Sequence, residues 1–133
     1  IEEKKMSLSD YKVGSAVPVR DMGKAKEFYE GKLGLTGGEE QGDGGTTYPC
    51  AEGTEIHPYP SPDNAGKSGA TLAFWRVDDV DKVVDDLASN GVTFEQYDMD
   101  PIKTNEKGIA ELPDGKKVAF FRHQDGNILA VGT

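Results

Sequence analysis

His57 is the residue in this 133-residue chain with the most chemistry to offer. It lies on Glu55-Ile56-His57-Pro58-Tyr59, where strand alternation would put Glu55, His57 and Tyr59 on one face. A carboxylate, an imidazole and a phenol side by side can orient a bound molecule or move a proton. The same imidazole would also serve as a half-buried strand histidine satisfied by a neighbour. Cys50, seven residues earlier across Ala51-Glu52-Gly53, is a nucleophile only if a base such as His57 reaches it. Otherwise it is a small buried thiol. His123 falls in His123-Gln124-Asp125-Gly126 and reads as a solvated turn histidine. Asp78 and Asp79 look like paired carboxylates, but they precede a helical pattern, so N-capping accounts for them. Gly66-Lys67-Ser68 imitates the end of a phosphate loop. Pro62 stands where that loop needs glycine, and no apolar strand leads directly into it. The glycine-rich stretch 37–45 carries Glu39, Glu40 and Asp43, which would repel phosphate; it reads as a flexible turn.

These residues need elements to position them. Val13–Arg20 alternates small and apolar positions as a strand does, with Pro18 marking an edge or bulge. Asp21 then caps a helix whose apolar stripe is Met22, Ala25, Tyr29 and Leu33, stopped at Gly34. Thr46–Cys50 and Thr54–Tyr59 read as short strands, and the breaker cluster Pro60–Gly69 marks a boundary. The pattern then restarts. Ala70–Val77 is a strand, Asp78 or Asp79 caps, and Val80, Val83, Val84 and Leu87 form a stripe ending at Asn90-Gly91. Phe94–Tyr97, Lys117–Arg122 and Asn127–Val131 follow as strands. The connector Asp98–Lys107 is long for a hairpin and reads as a surface loop or a lid. Val19–Ala25 matches Val77–Val83 at an offset of 58 residues, so the chain is an internal repeat. The expected fold is α+β: two βαβββ modules, 12–60 and 70–132, forming one curved, partly open barrel-like sheet with a cleft. Residues 1–11 would be a tail, with 1–5 an expression remnant and Met6 the natural start.

Composition excludes several partners. Fifteen Lys+Arg against 24 Asp+Glu give a net charge of −9, so the surface repels nucleic acid and anionic membranes. No apolar run approaches the roughly 18 residues of a membrane span. The single Cys50 can form neither an intrachain disulfide nor a thiolate zinc site, and with no export signal it fits the cytoplasm. Seventeen glycines are nearly twice the usual share, which suits a turn-rich, strand-rich fold.

Val17-Pro18-Val19-Arg20-Asp21-Met22, Lys24-Ala25, Phe28-Tyr29 and Leu33-Gly34-Leu35 resemble the opening module of the vicinal oxygen chelate superfamily. This is the glyoxalase/bleomycin-resistance/dioxygenase group. Trp75-Arg76-Val77-Asp78-Asp79-Val80-Asp81 resembles the start of its second module, and Asp125-Gly126-Asn127 the turn before its last strand. The resemblance implies a homodimer and four inward positions that hold a divalent metal in the family's metalloenzymes. Counted from the matched motifs, those positions are Gly14, Leu72, Ala130 and, most plausibly, His57. Three of them have no donor atom, so no metal or other cofactor is expected. Alternation on the second module's strands puts Leu72, Phe74 and Arg76 on the cavity side, with Ile128 and Ala130. The expected pocket is therefore apolar, walled by Leu72, Phe74, Ile128 and Ala130, with Glu55, His57, Tyr59 and Arg76 fixing orientation. At most one of Phe120 and Phe121 would join them. The leading expectation is a protein that binds a small, mostly apolar organic molecule without a catalytic metal. The alternatives are a metal-dependent lyase, isomerase or dioxygenase of the same superfamily, and a non-catalytic structural or regulatory dimer.

Overall fold

The computed structural model describes residues 7–123 and 125–133. Residues 1–6, with the expected remnant and the Met6 start, and Gln124 of the expected turn lie outside them. The architecture is mixed α+β, built from two four-stranded sheets and few helices, with no closed barrel.

The first sheet has the order β1-β4-β3-β2: β1 is Gly14–Val19, β2 Glu39–Glu40, β3 Thr46–Pro49 and β4 Glu55–Pro60. The second has the order β5-β10-β9-β8: β5 is Thr71–Arg76, β8 Ile109–Glu111, β9 Lys117–Arg122 and β10 Ile128–Gly132. In each, the first strand pairs in parallel with the last, β1 on β4 and β5 on β10. A parallel pair needs a long crossover, and the helices supply its middle. Asp21 Oδ1 accepts from Lys24 N at 3.0 Å and Asp79 Oδ1 from Lys82 N at 3.1 Å, so Asp79 rather than Asp78 caps the second helix. Both aspartates spend their carboxylates on orphan helix donors.

The first helix departs from its expected form. The α-helical part, α1, covers only Met22–Lys26, and Glu27–Lys32 continues as a π-helical turn. The wider turn seats two adjacent aromatics inward. Phe28 and Tyr29 are both buried, with ring centroids 5.2 Å apart and edge to face. A plain 3.6-residue period would aim one of them off the core. The second helix, α2 (Val80–Ser89), is regular and buries Val80 and Val84. The core lies between the helices and the outer sheet faces, centred on Val17, Tyr29, Tyr48, Phe121 and Leu129.

Phe94–Tyr97 is not a strand. Phe94 makes one bridge to Phe121, and Glu95 N donates to Phe120 O at 2.8 Å. Thr104 then captures Tyr97, accepting from its N–H at 2.9 Å, and turns the chain away from the sheet. The connector that follows is a small hairpin of β6 (Asp98–Met99) and β7 (Ile102–Lys103). His123 is a second correction. It is 1% exposed, stacked edge-on against Phe28 at 4.7 Å and beside Asp125 at 3.3 Å. The turn folds back under the first helix, so its histidine becomes core. Burial pushes the His123 imidazole below its usual range, against the opposing pull of Asp125.

Two attachments connect the sheets. Asn127, 1% exposed, donates to Pro18 O at 2.6 Å and accepts from Gly66 N at 3.0 Å. Asp125 Oδ2 accepts from Arg20 N at 2.9 Å. The connector 60–69 is thereby docked: Ala65 is fully buried, and a side chain at Gly66 (φ +72°) would collide with the Asp125 carbonyl. The second attachment is the seam between β1 and β5. The β5–β10 register slips between Ile128 and Leu129, leaving Leu72 unpaired on that ladder. Its carbonyl accepts from Ser15 Oγ at 2.8 Å.

Candidate functional site

The inner faces of the two sheets line a run of neighbouring hollows. The second sheet's hollow, about 530 Å³, is apolar: Leu72, Phe74, Val118, Phe120 and Ala130 form its walls, and Ile102 of β7 reaches into it. Lys116 and Thr133 stand at its end. Phe120 and Phe121 point to opposite faces, the first into this hollow and the second into the core. Ile128 belongs to a neighbouring hollow with Tyr97, Met99 and Ile102. Phe74 remains 48% exposed and Met99 58%, an unusual state for large apolar side chains on a folded surface.

The first sheet's hollow, about 540 Å³, is polar, which the apolar expectation did not include. Glu39, Asp43, Thr47, Glu55 and His57 surround it. A third hollow borders both: it shares Gly14, Ser15 and Glu55 with the polar one and Leu72, Ala73 and Phe74 with the apolar one. Arg76 and Cys50 lie on that third hollow. The sequence-chosen residues therefore divide three ways. Leu72, Phe74 and Ala130 come together, Glu55 and His57 come together, and Arg76 stands between them. Tyr59 stacks on the His57 ring at 6.0 Å, nearly parallel.

His57 is held at both nitrogens. Its Nδ1 lies 3.0 Å from Thr47 Oγ1 and its Nε2 lies 2.7 Å from Asp43 Oδ2. Each contact has a local cause. Tyr48 pairs with Ile56 across the β3–β4 ladder, so Thr47 stands opposite His57 on the inner face. Asp43 is aimed by its own turn, where Gly45 N donates to Asp43 Oδ1 at 2.8 Å. Gly45 has to be glycine, because a Cβ there would sit 2.6 Å from Pro58 O and 2.8 Å from His57 Cε1. The His57 bond, then the Gly45 N–H, hold the Asp43 carboxyl below the usual carboxylate range.

The chain of contacts fixes proton positions. An ionised carboxylate only accepts, so His57 Nε2 carries a proton toward Asp43. In neutral imidazole Nδ1 then accepts and the Thr47 hydroxyl donates to it, leaving its lone pairs toward the hollow. In imidazolium Nδ1–H donates, and the Thr47 proton turns outward. Thr47 and Asp43 are the residues sequence reasoning missed. The Ala51-Glu52-Gly53 turn already centred the hairpin so that 47 faces 57, a signal that was present. Asp43 gave none, being one acid in a glycine-rich turn.

The four positions that the family resemblance assigns to a metal are Gly14, His57, Leu72 and Ala130. Gly14 pairs with Glu55, and Ala130 with Phe74. Among the described residues no three His, Cys, Asp or Glu side chains converge on one point that an ion could occupy. This donor set does not fit a divalent metal at the family position. Also among the described residues, no helix is long and apolar enough to cross a membrane.

Comparison with known proteins places this geometry. No curated protein matches the sequence. Solved structures do. TnmS3, an antibiotic binding protein from Streptomyces sp. CB03234, superposes with a TM-score of 0.65 at 23% identity, covering 97% of each chain. A glyoxalase/bleomycin resistance protein from Catenulispora acidiphila DSM 44928 gives 0.65 at 20% identity, over 91% of this chain and 96% of that one. Lactoylglutathione lyase from Agrobacterium tumefaciens gives 0.66 at 16%, over 92% of both. At these identities the likeness is one of fold. The model of the Glyoxalase/Bleomycin resistance protein/Dioxygenase superfamily matches residues 13–131, and with that match, the paired sheets and the capped helices agreeing, the chain belongs to this superfamily.

Proposed function

We propose that this protein binds a small organic molecule with an apolar, planar body in the cleft between its sheets, without a catalytic metal. The observation that carries the reading is the apolar hollow of Leu72, Phe74, Val118, Phe120 and Ala130, open at Phe74, with a polar hollow on the neighbouring sheet. Burial of ligand surface there contributes roughly 25 cal/mol per Å². Glu39, Asp43 and Glu55 give the polar end a negative field that suits a basic group on the ligand. TnmS3, described as an antibiotic binding protein, makes antibiotics one natural class to test. The reading takes the chain as one domain of two modules, 12–60 and 70–132, pairing as a homodimer in the cytoplasm.

The test is a thermal-shift screen with planar aromatic metabolites and antibiotics, followed by metal analysis of the purified protein. A ligand that raises Tm in a saturable way and is recovered unchanged supports the reading. A stoichiometric, tightly held metal ion overturns it.

A second reading is acid–base catalysis on the bound molecule, favoured by the Thr47–His57–Asp43 chain. Recovery of an altered product from the protein–ligand mixture, abolished in His57→Ala, selects that reading instead.

A further inference from the structure

The polar hollow of the first sheet holds an arrangement that ligand binding alone does not need. Strand register builds it. Ala16 pairs with His57, Thr47 faces His57 across the β3–β4 hairpin, and Glu39 pairs with Thr47. One row across the inner face therefore reads Ala16, His57, Thr47, Glu39, and all four line the hollow.

Thr47 Oγ1 lies 3.0 Å from His57 Nδ1, and His57 Nε2 lies 2.7 Å from Asp43 Oδ2. A hydroxyl, an imidazole and a carboxylate, each within hydrogen-bond reach of the next, form the arrangement that activates a nucleophile. The base takes the hydroxyl proton and the carboxylate orients the base. Asp43 on Nε2 leaves Nδ1 as the basic nitrogen, which is the one facing Thr47. The turn bond from Gly45 N to Asp43 Oδ1 keeps that carboxylate aimed. Thr47 itself is only half-buried, so a molecule in the hollow can reach its hydroxyl.

Two further carboxylates decide what such a nucleophile would act on. Glu39 stands beside Thr47, and Glu55 leans over Gly14, where a Cβ would sit 2.9 Å from the Glu55 Cγ. Their field opposes the negative oxygen that forms when a hydroxyl attacks an uncharged ester. A substrate that brings its own positive charge offsets that field and is drawn in by it.

We infer that Thr47 is the nucleophile of an acyl transfer, and that the hollow hydrolyses carboxylic esters whose alcohol carries a fixed positive charge. This rests on the acid–base reading of the same hollow. Thr47 Oγ1 bonds to the ester carbonyl carbon while its proton passes to His57 Nδ1. Collapse of the tetrahedral adduct breaks the bond from that carbon to the alcohol oxygen, and the alcohol leaves with the proton. Water then attacks the acyl–Thr47 ester, gives a proton to Nδ1 and frees the acid, and Thr47 recovers its hydrogen. The sum is ester plus water to acid plus alcohol.

The experiment incubates purified protein with acetylcholine and with 3,3-dimethylbutyl acetate, its uncharged isostere. Acid release is followed at constant pH, and acid-quenched protein is mapped by peptide mass spectrometry. The expected result is acetylcholine hydrolysis above the buffer rate, with one acetyl group on Thr47. The neutral ester should react about tenfold more slowly, the worth of one partly screened charge contact. Thr47→Ser keeps the hydroxyl and should retain turnover. Thr47→Val keeps the shape without it and should lower turnover at least about a hundredfold. Release at the buffer rate with no acyl–Thr47 overturns the inference. So does an acetyl group on Cys50 in place of Thr47, or a neutral ester turned over equally fast. Turnover that His57→Ala abolishes and Thr47→Val does not would overturn the nucleophile and leave the acid–base reading standing, whereas turnover unchanged in His57→Ala overturns both. The acyl–Thr47 measurement uses the wild type, so it does not depend on any variant folding.

Discussion

Asp43 Oδ2 lies 2.7 Å from His57 Nε2, joining a glycine-rich turn to the last strand of the first sheet. Removing the imidazole by His57→Ala should let the Asp43 carboxyl titrate closer to its ordinary value of about 3.9. Carbon-detected NMR of the Asp43 carboxyl checks this. The sign for stability follows: the native value is depressed, so the contribution is present above the unfolded value and is lost as pH falls toward the native one. An Asp43 titration unmoved by the substitution would mean that Gly45 N–H alone holds the carboxylate.

Phe74→Ala tests the apolar end. The ring is 48% exposed and lines the 530 Å³ hollow, so it does little for the core. Fold stability should change by no more than about 0.5 kcal/mol. Affinity for a cleft ligand should fall about tenfold, near 1.4 kcal/mol. Calorimetry on the wild type and on Phe74→Ala, with a ligand from the thermal-shift screen, separates the two effects.

His123 should give the protein an acid-sensitive component. Its imidazole is buried among Phe28 and Tyr29, with Asp125 beside it and Lys32 opposing the charged form. Because its native value is lowered, the unfolded chain takes up the proton first. Stability from this group is complete above the unfolded value of about 6.5 and declines as pH falls below it. Tm measured across that interval should drop more steeply for the wild type than for His123→Phe, which keeps a ring in the same place.

Asn127→Leu addresses the connection between the sheets. It leaves Pro18 O and Gly66 N, both attached to a 1%-exposed side chain, without their partner. The expected loss is about 2–4 kcal/mol, read by chemical denaturation. A loss within about 0.5 kcal/mol would mean that the Asp125–Arg20 contact holds the connector unaided.

Much of the fold was legible because it rests on local signals that repeat. Asp21 and Asp79 cap helices, apolar stripes mark buried faces, and the match between Val19–Ala25 and Val77–Val83 sets two similar units side by side. The deviations are tertiary. Nothing local marks the π-helical turn, which exists so that Phe28 and Tyr29 both find the core. His123 reads as a solvated turn residue until the first helix is laid over it. Phe94–Tyr97 has strand-like composition, yet Thr104 competes successfully for Tyr97. At the site, alternation alone separated Leu72, Phe74 and Ala130 from Trp75. The pairing of Thr47 with His57 required hairpin register, and the reach of Asp43 required the shape of a turn that no periodicity encodes.

Among the described residues no backbone ladder crosses the seam between β1 and β5, where the Ser15 hydroxyl donates to Leu72 O. Spreading or narrowing the gap between the sheets thus strains that hydroxyl contact and the Asn127 and Asp125 attachments while every ladder stays whole. Like the jaws of a caliper, the halves would, on the proposed binding reading, be reset for guests of different thickness by changing Ser15 or its neighbours. That reading then puts new specificities within reach of small sequence changes that leave each half's folding intact.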